Sequence, residues 1–238
     1  IELMEFFKFF VGGFGFSALS FCLATKIFPR IGFLDFPHRY NLKRKPLPYP
    51  GGLVFLLLSF LIFFLDPKFH LLGIPLTTLG MVSFVDDFKN LSARWRLLIH
   101  FLVATFVFFM GVKIEFIGNP FANTNFEIGE MFPPLAFLLT VFWIVALQNA
   151  MNWFDGLPGL APGVSGIGFL SLGLLGVLRP ELFLDPAHTS LSWANFYLAG
   201  LCFGGFYFFW QKKIILGDTG SQILGFLLAV MSIFSGKI

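Results

Sequence analysis

Residues 69–87 read FHLLGIPLTTLGMVSFVDD, an apolar run that ends on two adjacent aspartates, Asp86 and Asp87. The length of the run is close to the roughly 20 apolar residues that a helix needs to cross a bilayer. A carboxylate at the edge of the hydrocarbon is costly unless it is paired, hydrated or bound to a cation. The stretch therefore predicts a membrane-spanning helix whose end carries two carboxylates in need of a partner.

The composition extends this prediction to the whole chain. Of its 238 residues, 57% are hydrophobic and only 12% are charged, whereas a soluble domain has roughly 25% charged residues. A soluble globular protein is therefore excluded. We predict an all-α polytopic membrane protein, a single transmembrane domain over 1–238, with a small extracytoplasmic β-hairpin between Lys113 and Glu130. About eight transmembrane helices are expected, near 6–25, 51–65, 69–85, 97–112, 131–151, 159–178, 191–210 and 219–236.

Lysine and arginine are distributed unevenly between alternate loops. The loops after the first, third, fifth and seventh spans hold eleven of them: Lys26, Arg30, Arg39, Lys43, Arg44, Lys45, Lys89, Arg94, Arg96, Lys212 and Lys213. The opposite side, with the two chain ends, holds five: Lys8, Lys68, Lys113, Arg179 and Lys237. Because basic loops remain in the cytoplasm, the count predicts that the first set is cytoplasmic and that the N-terminus lies outside.

The acids on the predicted cytoplasmic side gather where spans end. Asp35 lies in the first loop, Asp86 and Asp87 end the third span, Asp155 closes NAMNWFDG (149–156), and Asp218 lies in GDTGS (217–221). Carboxylates, an amide oxygen and water are the ligands that Mg²⁺ prefers, with substrate phosphates completing its shell. The pattern predicts a metal-dependent phosphoryl-transfer site. The alternative is that the paired aspartates cap the next helix or form ion pairs with basic residues such as Lys89 and Arg94.

Two further segments offer groups that bind phosphate. Gly217 to Ser221, at a helix entrance, presents backbone N–H groups and a hydroxyl to an anion; alternatively, its small residues allow close helix packing. The basic loop from Arg39 to Lys45 would hold a diphosphate or a lipid phosphate, or else set the topology by contacting anionic headgroups. His100, inside the fourth span, is interpreted as a helix–helix hydrogen-bond partner or as the lining of a polar cavity.

Three motifs in this order resemble the polyprenyl-phosphate N-acetylhexosamine-1-phosphate transferases. They are VDDFKNLSA (85–93), NAMNWFDG (149–156) and GDTGS (217–221), and the stretch PLPYPGG (46–52) resembles the first cytoplasmic loop of that family. The family includes the bacterial enzymes that start the synthesis of peptidoglycan, teichoic acid, enterobacterial common antigen and O-antigen. The resemblance covers essentially all of the chain.

The resemblance implies a reaction, its partners and its location. A UDP-N-acetylhexosamine would give its sugar-1-phosphate to a membrane polyprenyl (undecaprenyl) phosphate and release UMP. The reaction would take place on the cytoplasmic face of the bacterial inner membrane, and the lipid bilayer would be a further partner. No nucleic acid is expected as a partner, and a homodimer is compatible with the resemblance.

The resemblance also implies roles for individual residues. Asn152 and Asp218 would hold Mg²⁺, with Mn²⁺ as the alternative ion. The catalytic residues would be Asp86 and Asp87, which position or deprotonate the lipid phosphate. The residues that bind the nucleotide sugar would be Asn149, Asp155 and Gly156. The residues that bind phosphate would be Lys45, Lys89, Gly217, Thr219, Gly220 and Ser221.

The chain departs from the family pattern at three points. The family's second motif usually continues Asp-Gly-Xaa-Asp-Gly-Leu-Ala, whereas residues 155–161 read DGLPGLA, so Pro158 replaces a polar side chain expected near the base. His100 stands where many members have Gln, as in the O-antigen branch. The later cytoplasmic loop and last spans of the family are missing, which favours a fragment. Two other hypotheses stay open: a transporter or channel that uses the acids, and a catalytically inactive membrane scaffold.

Overall fold

A computed structural model describes residues 2–41, 43–118, 125–180 and 188–235. Within these ranges the chain forms eight helices of 14 or more residues and one single-turn helix. In chain order they are α1 (Glu2–Ile27), α2 (Gly52–Leu65), α3 (Gly73–Lys89), α4 (Ala93–Phe109), the single turn α5 (Ile128–Met131), α6 (Pro133–Phe154), α7 (Leu160–Leu178), α8 (His188–Trp210) and α9 (Gly217–Phe234). Short 3₁₀ turns cover Phe28–Ile31, Pro37–Tyr40 and Pro67–Leu72.

The all-α polytopic architecture is confirmed, and each of the eight predicted spans corresponds to one of the eight longer helices. By length and composition, five helical segments can cross a membrane: Met4–Ile31, Pro67–Lys89, Pro133–Phe154, Leu160–Leu178 and Gly217–Phe234. The helix α2 is strongly apolar but has only 14 residues. At 1.5 Å per residue it rises about 21 Å, which is less than the thickness of a typical hydrocarbon core.

The outer surface of the bundle suits lipid. Large apolar side chains such as Phe64, Phe109 and Phe142 are exposed on it, and a surface of this kind is not stable in water. Exposed Trp95, at the start of α4, and Trp153, at the end of α6, lie at one end of the bundle. Tryptophan is enriched at the boundary between hydrocarbon and water, which favours a headgroup-level position for this end. We call it the site face.

The helix α9 is the centre of the bundle. It packs on α6, α3, α2 and α7, and 78% of its residues are buried. A helix that is apolar or small on every side belongs in an interior, and α9 fits that description with residues such as Leu224, Phe226 and Ala229, which are at most 2% exposed. The N-terminus of α9 carries GDTGS and opens on the site face.

The first loop docks against the N-terminus of α9. The amides of Gly51 and Gly52 donate to the carbonyls of Ile215 (2.7 Å) and Leu216 (2.8 Å), and the amide of Ile215 donates to Pro48 (3.0 Å). A Cβ on Gly52 would lie 1.9 Å from the amide nitrogen of Gly220. The two backbones therefore cross at a distance that only glycine permits, which fixes the loop over the site.

The predicted hairpin is confirmed as two short antiparallel strands, β1 (Phe116–Gly118) and β2 (Asn125–Glu127), while its extracytoplasmic location stays a prediction. Phe116 pairs with Glu127, and Gly118 pairs with Asn125. Residues 119–124, which join the two strands, lie outside the described residues, as does Lys237 from the charge count. The hairpin lies between α4 and α6, at the end of the bundle opposite the site face.

The contact between α1 and α8 depends on glycine, and this gives a matched test. A Cβ on Gly13 would lie 2.4 Å from the carbonyl oxygen of Tyr197, whereas a Cβ on Gly12 would meet no atom within 4 Å. Gly13→Ala should therefore force the two helices apart and lower the apparent Tm by several degrees. Gly12→Ala should leave the Tm unchanged or raise it, because Ala is favoured over Gly in a helix by about 1 kcal/mol.

Thermal unfolding in detergent, followed by tryptophan fluorescence, measures both variants under the same conditions. Equal Tm values for Gly13→Ala and Gly12→Ala would contradict the close packing of α1 on α8.

Candidate active site

The ends of α3 and α6, the start of α9 and the first loop meet around one cavity on the site face. Its volume is about 630 Å³. The side chains and backbone that line it are Asp35, Phe36, Arg44, Tyr49, Asp87, Asn90, Asn152, Asp155, Gly156, Ile215, Gly217 and Asp218. Four of the five acids singled out from the sequence, Asp35, Asp87, Asp155 and Asp218, thus line one space. The fifth, Asp86, lies directly behind it.

The two residues predicted to hold a metal touch each other. The amide Nδ2 of Asn152, on α6, donates to Oδ1 of Asp218, on α9, at 2.5 Å. The same amide lies 3.2 Å from the hydroxyl of Ser221, one turn further along α9. Since the two residues are 66 positions apart in the chain, the packing of α6 on α9 is what brings them together. The side chain of Asp218 keeps 28% of its surface exposed towards the cavity.

Arg96, near the start of α4, bridges two of the acids. Its Nη1 donates to Oδ2 of Asp218 at 3.1 Å, and its Nε lies 3.4 Å from Oδ2 of Asp86. In the sequence, Arg96 contributes only to the charge count that predicts the topology. Nothing in the sequence indicates that Arg96 rather than Arg94 would contact the acids. The structure shows that its guanidinium is the positive charge shared by the two carboxylates.

Asp86 occupies the last turn of α3 and is only 3% exposed. Its Oδ1 accepts a hydrogen bond from the amide of Leu91 at 2.5 Å, which closes the turn between α3 and α4. Behind it, a narrow cavity is lined by Ser83, Arg96, His100 and Gln222. The sequence predicts that His100 either bonds to another helix or lines a polar cavity; the structure buries it beside this small cavity, and its role stays a prediction.

Asp87, one position further along α3, points to the other side and holds the start of α9. Its Oδ1 accepts from the amide of Asp218 (2.6 Å) and from the hydroxyl of Tyr49 (2.6 Å). Its Oδ2 accepts from the amide of Thr219 (3.1 Å) and, through a short contact, from the Thr219 hydroxyl. The role of Tyr49 depends on the docked first loop, so no motif in the sequence indicated it.

Asp155, just after α6, is the second carboxylate at this helix start. Its Oδ2 accepts from the amide of Gly217 at 3.2 Å. Loss of hydration, followed by the negative charge of Asp218, raises the pKa of the Asp155 carboxyl well above its usual range. Asp155 therefore retains its proton to a higher pH in the folded protein than in the unfolded chain.

The first loop is tied down by an ion pair. Arg44 donates through Nη2 to Oδ2 of Asp35 at 2.5 Å and through Nη1 to Oδ1 at 3.2 Å, and the amide of Leu47 adds a bond to Oδ1 at 2.6 Å. A planar guanidinium that binds both oxygens fixes direction as well as distance. As a result, Arg44 lines both the main cavity and an adjoining one of about 430 Å³.

The other predicted site residues fall into three groups. Gly156 lines both cavities, and Pro158 lines the adjoining one. Asn149 lies one turn before Asn152 on α6. Its side-chain amide donates to the carbonyl of Val145 at 2.7 Å, and the residue lines neither of the two cavities. Lys45 and Lys89 are exposed side chains.

The predicted phosphate-binding groups of GDTGS have other partners in the structure. The amides of Gly217, Asp218 and Thr219 donate to Asp155 and Asp87. Gly220 packs on Gly52, and the Ser221 hydroxyl donates back to its own helix. Their assignment to phosphate binding stays a prediction, and the structure favours the alternative reading of this motif as a close-packed helix start.

The groups around Asp218 suit a magnesium ion that is held partly by the protein and partly by the phosphates of a substrate. Within residues 2–41, 43–118, 125–180 and 188–235, no group of three or more His, Cys, Asp or Glu is arranged to bind a metal. Mg²⁺ commonly uses one or two protein oxygens and completes its shell with water and phosphates. The carboxylate of Asp218 and the side-chain amide of Asn152 both line the cavity of about 630 Å³, and they would supply that smaller set once the amide, whose Nδ2 donates to Asp218 here, presents its oxygen to the ion.

Residues 69–236 match the family described as glycosyl transferase family 4. The chain is 30% identical over 218 residues to a probable undecaprenyl-phosphate N-acetylglucosaminyl 1-phosphate transferase of Bacillus subtilis, covering 89% of this chain and 58% of that protein.

Two further relatives are phospho-N-acetylmuramoyl-pentapeptide-transferases. The protein from Picosynechococcus is 33% identical over 214 residues, covering 83% of this chain and 55% of the relative. The protein from Listeria innocua is 32% identical over 210 residues, covering 80% of this chain and 62% of the relative. The chain thus spans less than two thirds of the length of these curated relatives.

The raised pKa of Asp155 gives a pH test with a defined sign. The unfolded chain releases this proton near the ordinary Asp pKa, while the folded protein holds it to higher pH, so the free energy of unfolding falls as the pH rises between the two values. Asp155→Asn keeps an oxygen for the Gly217 amide and removes the titration. In EDTA, its Tm should rise relative to wild type by a few degrees between pH 4 and pH 8.

Glu130→Gln, at an exposed carboxylate on the opposite end of the bundle, is the matched control and should track wild type. If the Tm of the wild type and that of Asp155→Asn change with pH in parallel, the Asp155 carboxyl does not have the raised pKa.

Proposed function

The chain belongs to glycosyl transferase family 4, and on that premise we propose that it transfers an N-acetylhexosamine-1-phosphate from a UDP-sugar to a polyprenyl phosphate in the membrane. The observation that carries the proposal is the contact between Asn152 and Asp218 beside Arg96 in one open cavity. A metal ligand pair and a fixed cation at one point suit the transfer of a phosphoryl group between two anionic partners.

The reaction is a displacement at phosphorus. An oxygen of the polyprenyl phosphate forms a bond to the phosphorus that carries the sugar, and the bond from that phosphorus to the bridging oxygen of the diphosphate breaks. UMP leaves with the bridging oxygen, and the lipid product contains a new diphosphate. Because all the partners are anionic, the main task of the protein is to hold them in line and to neutralise charge.

The side chains of this site can divide that task. Asp218 and Asn152 would hold Mg²⁺ or Mn²⁺, which supplies positive charge for the phosphoryl oxygens. Arg96 adds a permanent positive charge on the same carboxylate. Asp86 does not line the main cavity and is buried with Oδ2 near Arg96, so it would act on the lipid phosphate through the charge of that guanidinium, or as a base only after a local rearrangement.

The two joined cavities suit the two parts of a nucleotide sugar. They share Arg44, Asp155, Gly156 and Ile215, so a diphosphate at Arg44 reaches both. The adjoining cavity, lined by Pro158, Phe209 and Leu216, is the more apolar of the two and would take the uridine. Pro158 offers no side-chain hydrogen bond, so base recognition there would depend on shape and backbone groups.

The site lies where a lipid phosphate would be found. Trp153, next to Asn152 in the chain, is 80% exposed, and an exposed Trp at a helix end marks the headgroup level. The basic loops then suggest that this face is cytoplasmic and that the N-terminus lies outside, in a bacterial inner membrane. At this level the site would reach the phosphate of a lipid whose chain stays in the bilayer.

The position of the acids favours an enzyme over a transporter. Asp35, Asp86, Asp87, Asp155 and Asp218 all lie at helix ends or loops on the site face, whereas an ion pathway places ionisable groups near the middle of the membrane. An inactive scaffold would need neither an accessible Asp218 nor a cavity that reaches it.

The test is release of UMP by the natural full-length protein that contains this sequence. With UDP-GlcNAc, undecaprenyl phosphate and Mg²⁺ all present, UMP should form, and it should not form when either the lipid or the ion is left out. Asp218→Asn should lower the rate by about 100-fold or more, since it removes a metal ligand at the reacting phosphates. Glu130→Gln should keep the wild-type rate.

A panel of UDP-sugars in the same assay identifies the hexosamine. If the Asp218→Asn variant releases UMP at the wild-type rate, the assignment of Asp218 to the metal site is wrong. Solute flux in proteoliposomes without a lipid-linked product would support the transporter, and nucleotide binding without turnover would support the scaffold.

A further inference from the structure

The two adjacent aspartates at the end of α3 have opposite surroundings. Asp87 is 6% exposed, and its two oxygens accept from four donors: the Asp218 amide, the Thr219 amide, the Thr219 hydroxyl and the Tyr49 hydroxyl. An ionised carboxylate has about four lone-pair positions. The hydrogen-bonding capacity of Asp87 is therefore filled by the protein itself.

Asp86 is bound much less completely. Its Oδ1 accepts from the Leu91 amide, but its buried Oδ2 accepts no hydrogen bond from the described residues and faces the guanidinium of Arg96 at 3.4 Å. Asp218 is more open still, with 28% of its side chain exposed. Of the three carboxylates, Asp87 is the one with the least capacity for a ligand.

The backbone around Asp87 is shaped to receive its carboxylate. Gly217 has a φ of +79°, and a Cβ there would lie 3.0 and 3.1 Å from the two oxygens of Asp87 and 2.8 Å from the Tyr49 ring. Only glycine adopts this conformation readily in so small a space. The turn it makes directs the next two amides, of Asp218 and Thr219, at Asp87.

We propose that Asp87 is a positioning residue that caps the start of α9 and thereby aims Asp218, and that Asp87 is not itself a metal ligand or a base. The residue before α9, Leu216, has no side-chain oxygen and makes no cap hydrogen bond. Asp87, which lies on another helix, therefore takes the place of the N-cap residue. Its negative charge also lies at the positive end of the α9 dipole. The inference rests on the proposed function only in assigning the metal to Asp218.

Binding of Mn²⁺ and thermal stability together test this role. Mn²⁺ is titrated into the purified protein without substrates and followed by electron paramagnetic resonance. Asp218→Asn should weaken Mn²⁺ binding by more than about 100-fold, because a ligand is lost. Asp87→Asn should weaken it by only about 10-fold, as expected for a residue that orients a ligand, and should lower the Tm by roughly 5 °C, as expected for a lost cap.

Two further variants separate positioning from general damage. Thr219→Val removes one donor to Asp87 and keeps the Asp87 carboxylate; it should shift the Tm and the Mn²⁺ affinity in the same direction as Asp87→Asn, by about half as much or less. Gly13→Ala, in the distant contact between α1 and α8, should lower the Tm and leave the Mn²⁺ affinity unchanged. If Asp87→Asn does not fold, Thr219→Val still decides the question.

The inference is overturned if Asp87→Asn abolishes Mn²⁺ binding as completely as Asp218→Asn at a wild-type Tm, because Asp87 is then a ligand. It is also overturned if neither Asp87→Asn nor Thr219→Val changes Tm or affinity. Failure of the proposed function would look different. The variants would weaken Mn²⁺ binding in the order given above, but the wild-type protein would release no UMP from a UDP-sugar.

Discussion

Three hydrogen bonds from backbone amides to carboxylates hold the start of α9, and the rest of the site is arranged around them. Asp155 accepts from Gly217, and Asp87 accepts from Asp218 and Thr219. The carboxylates come from α6 and α3, so one helix start ties together three parts of the bundle. The first loop can then cross α9 at Gly52 and Gly220, where no side chain fits.

This arrangement accounts for four acids in a small volume. Two of them, Asp87 and Asp155, face the start of α9, where backbone amides donate hydrogen bonds to their oxygens. The other two, Asp86 and Asp218, share the guanidinium of Arg96. Buried and half-buried carboxylates repel one another unless each has such a partner. Of the two that share Arg96, Asp218 is the one that lines the cavity, with 28% of its side chain exposed, and it is therefore the natural position for a second, divalent cation.

Much of the fold and the site could be predicted from the sequence, because hydrophobic length and charge distribution act locally. The eight helices, the hairpin and the convergence of Asp87, Asn152, Asp155 and Asp218 follow from such patterns and from ordered motifs. Contacts made by distant segments could not be predicted. The parts played by Arg96 and Tyr49 depend on how α4 and the first loop pack. GDTGS can be read as an anion site or as a tight helix start, and the packing of α3 on α9 favours the second reading.

The central claim is that Asp218 and Asn152 together form the cation site, while Asp87 serves the backbone. The most direct measurement is anomalous scattering from crystals of the full-length protein grown with Mn²⁺. We predict one anomalous peak on the site face within about 2.5 Å of a carboxylate oxygen of Asp218 and beside the Asn152 amide, near the distance typical of such ions. A peak coordinated by Asp87 instead, or no peak in the cavity at saturating Mn²⁺, would contradict the account.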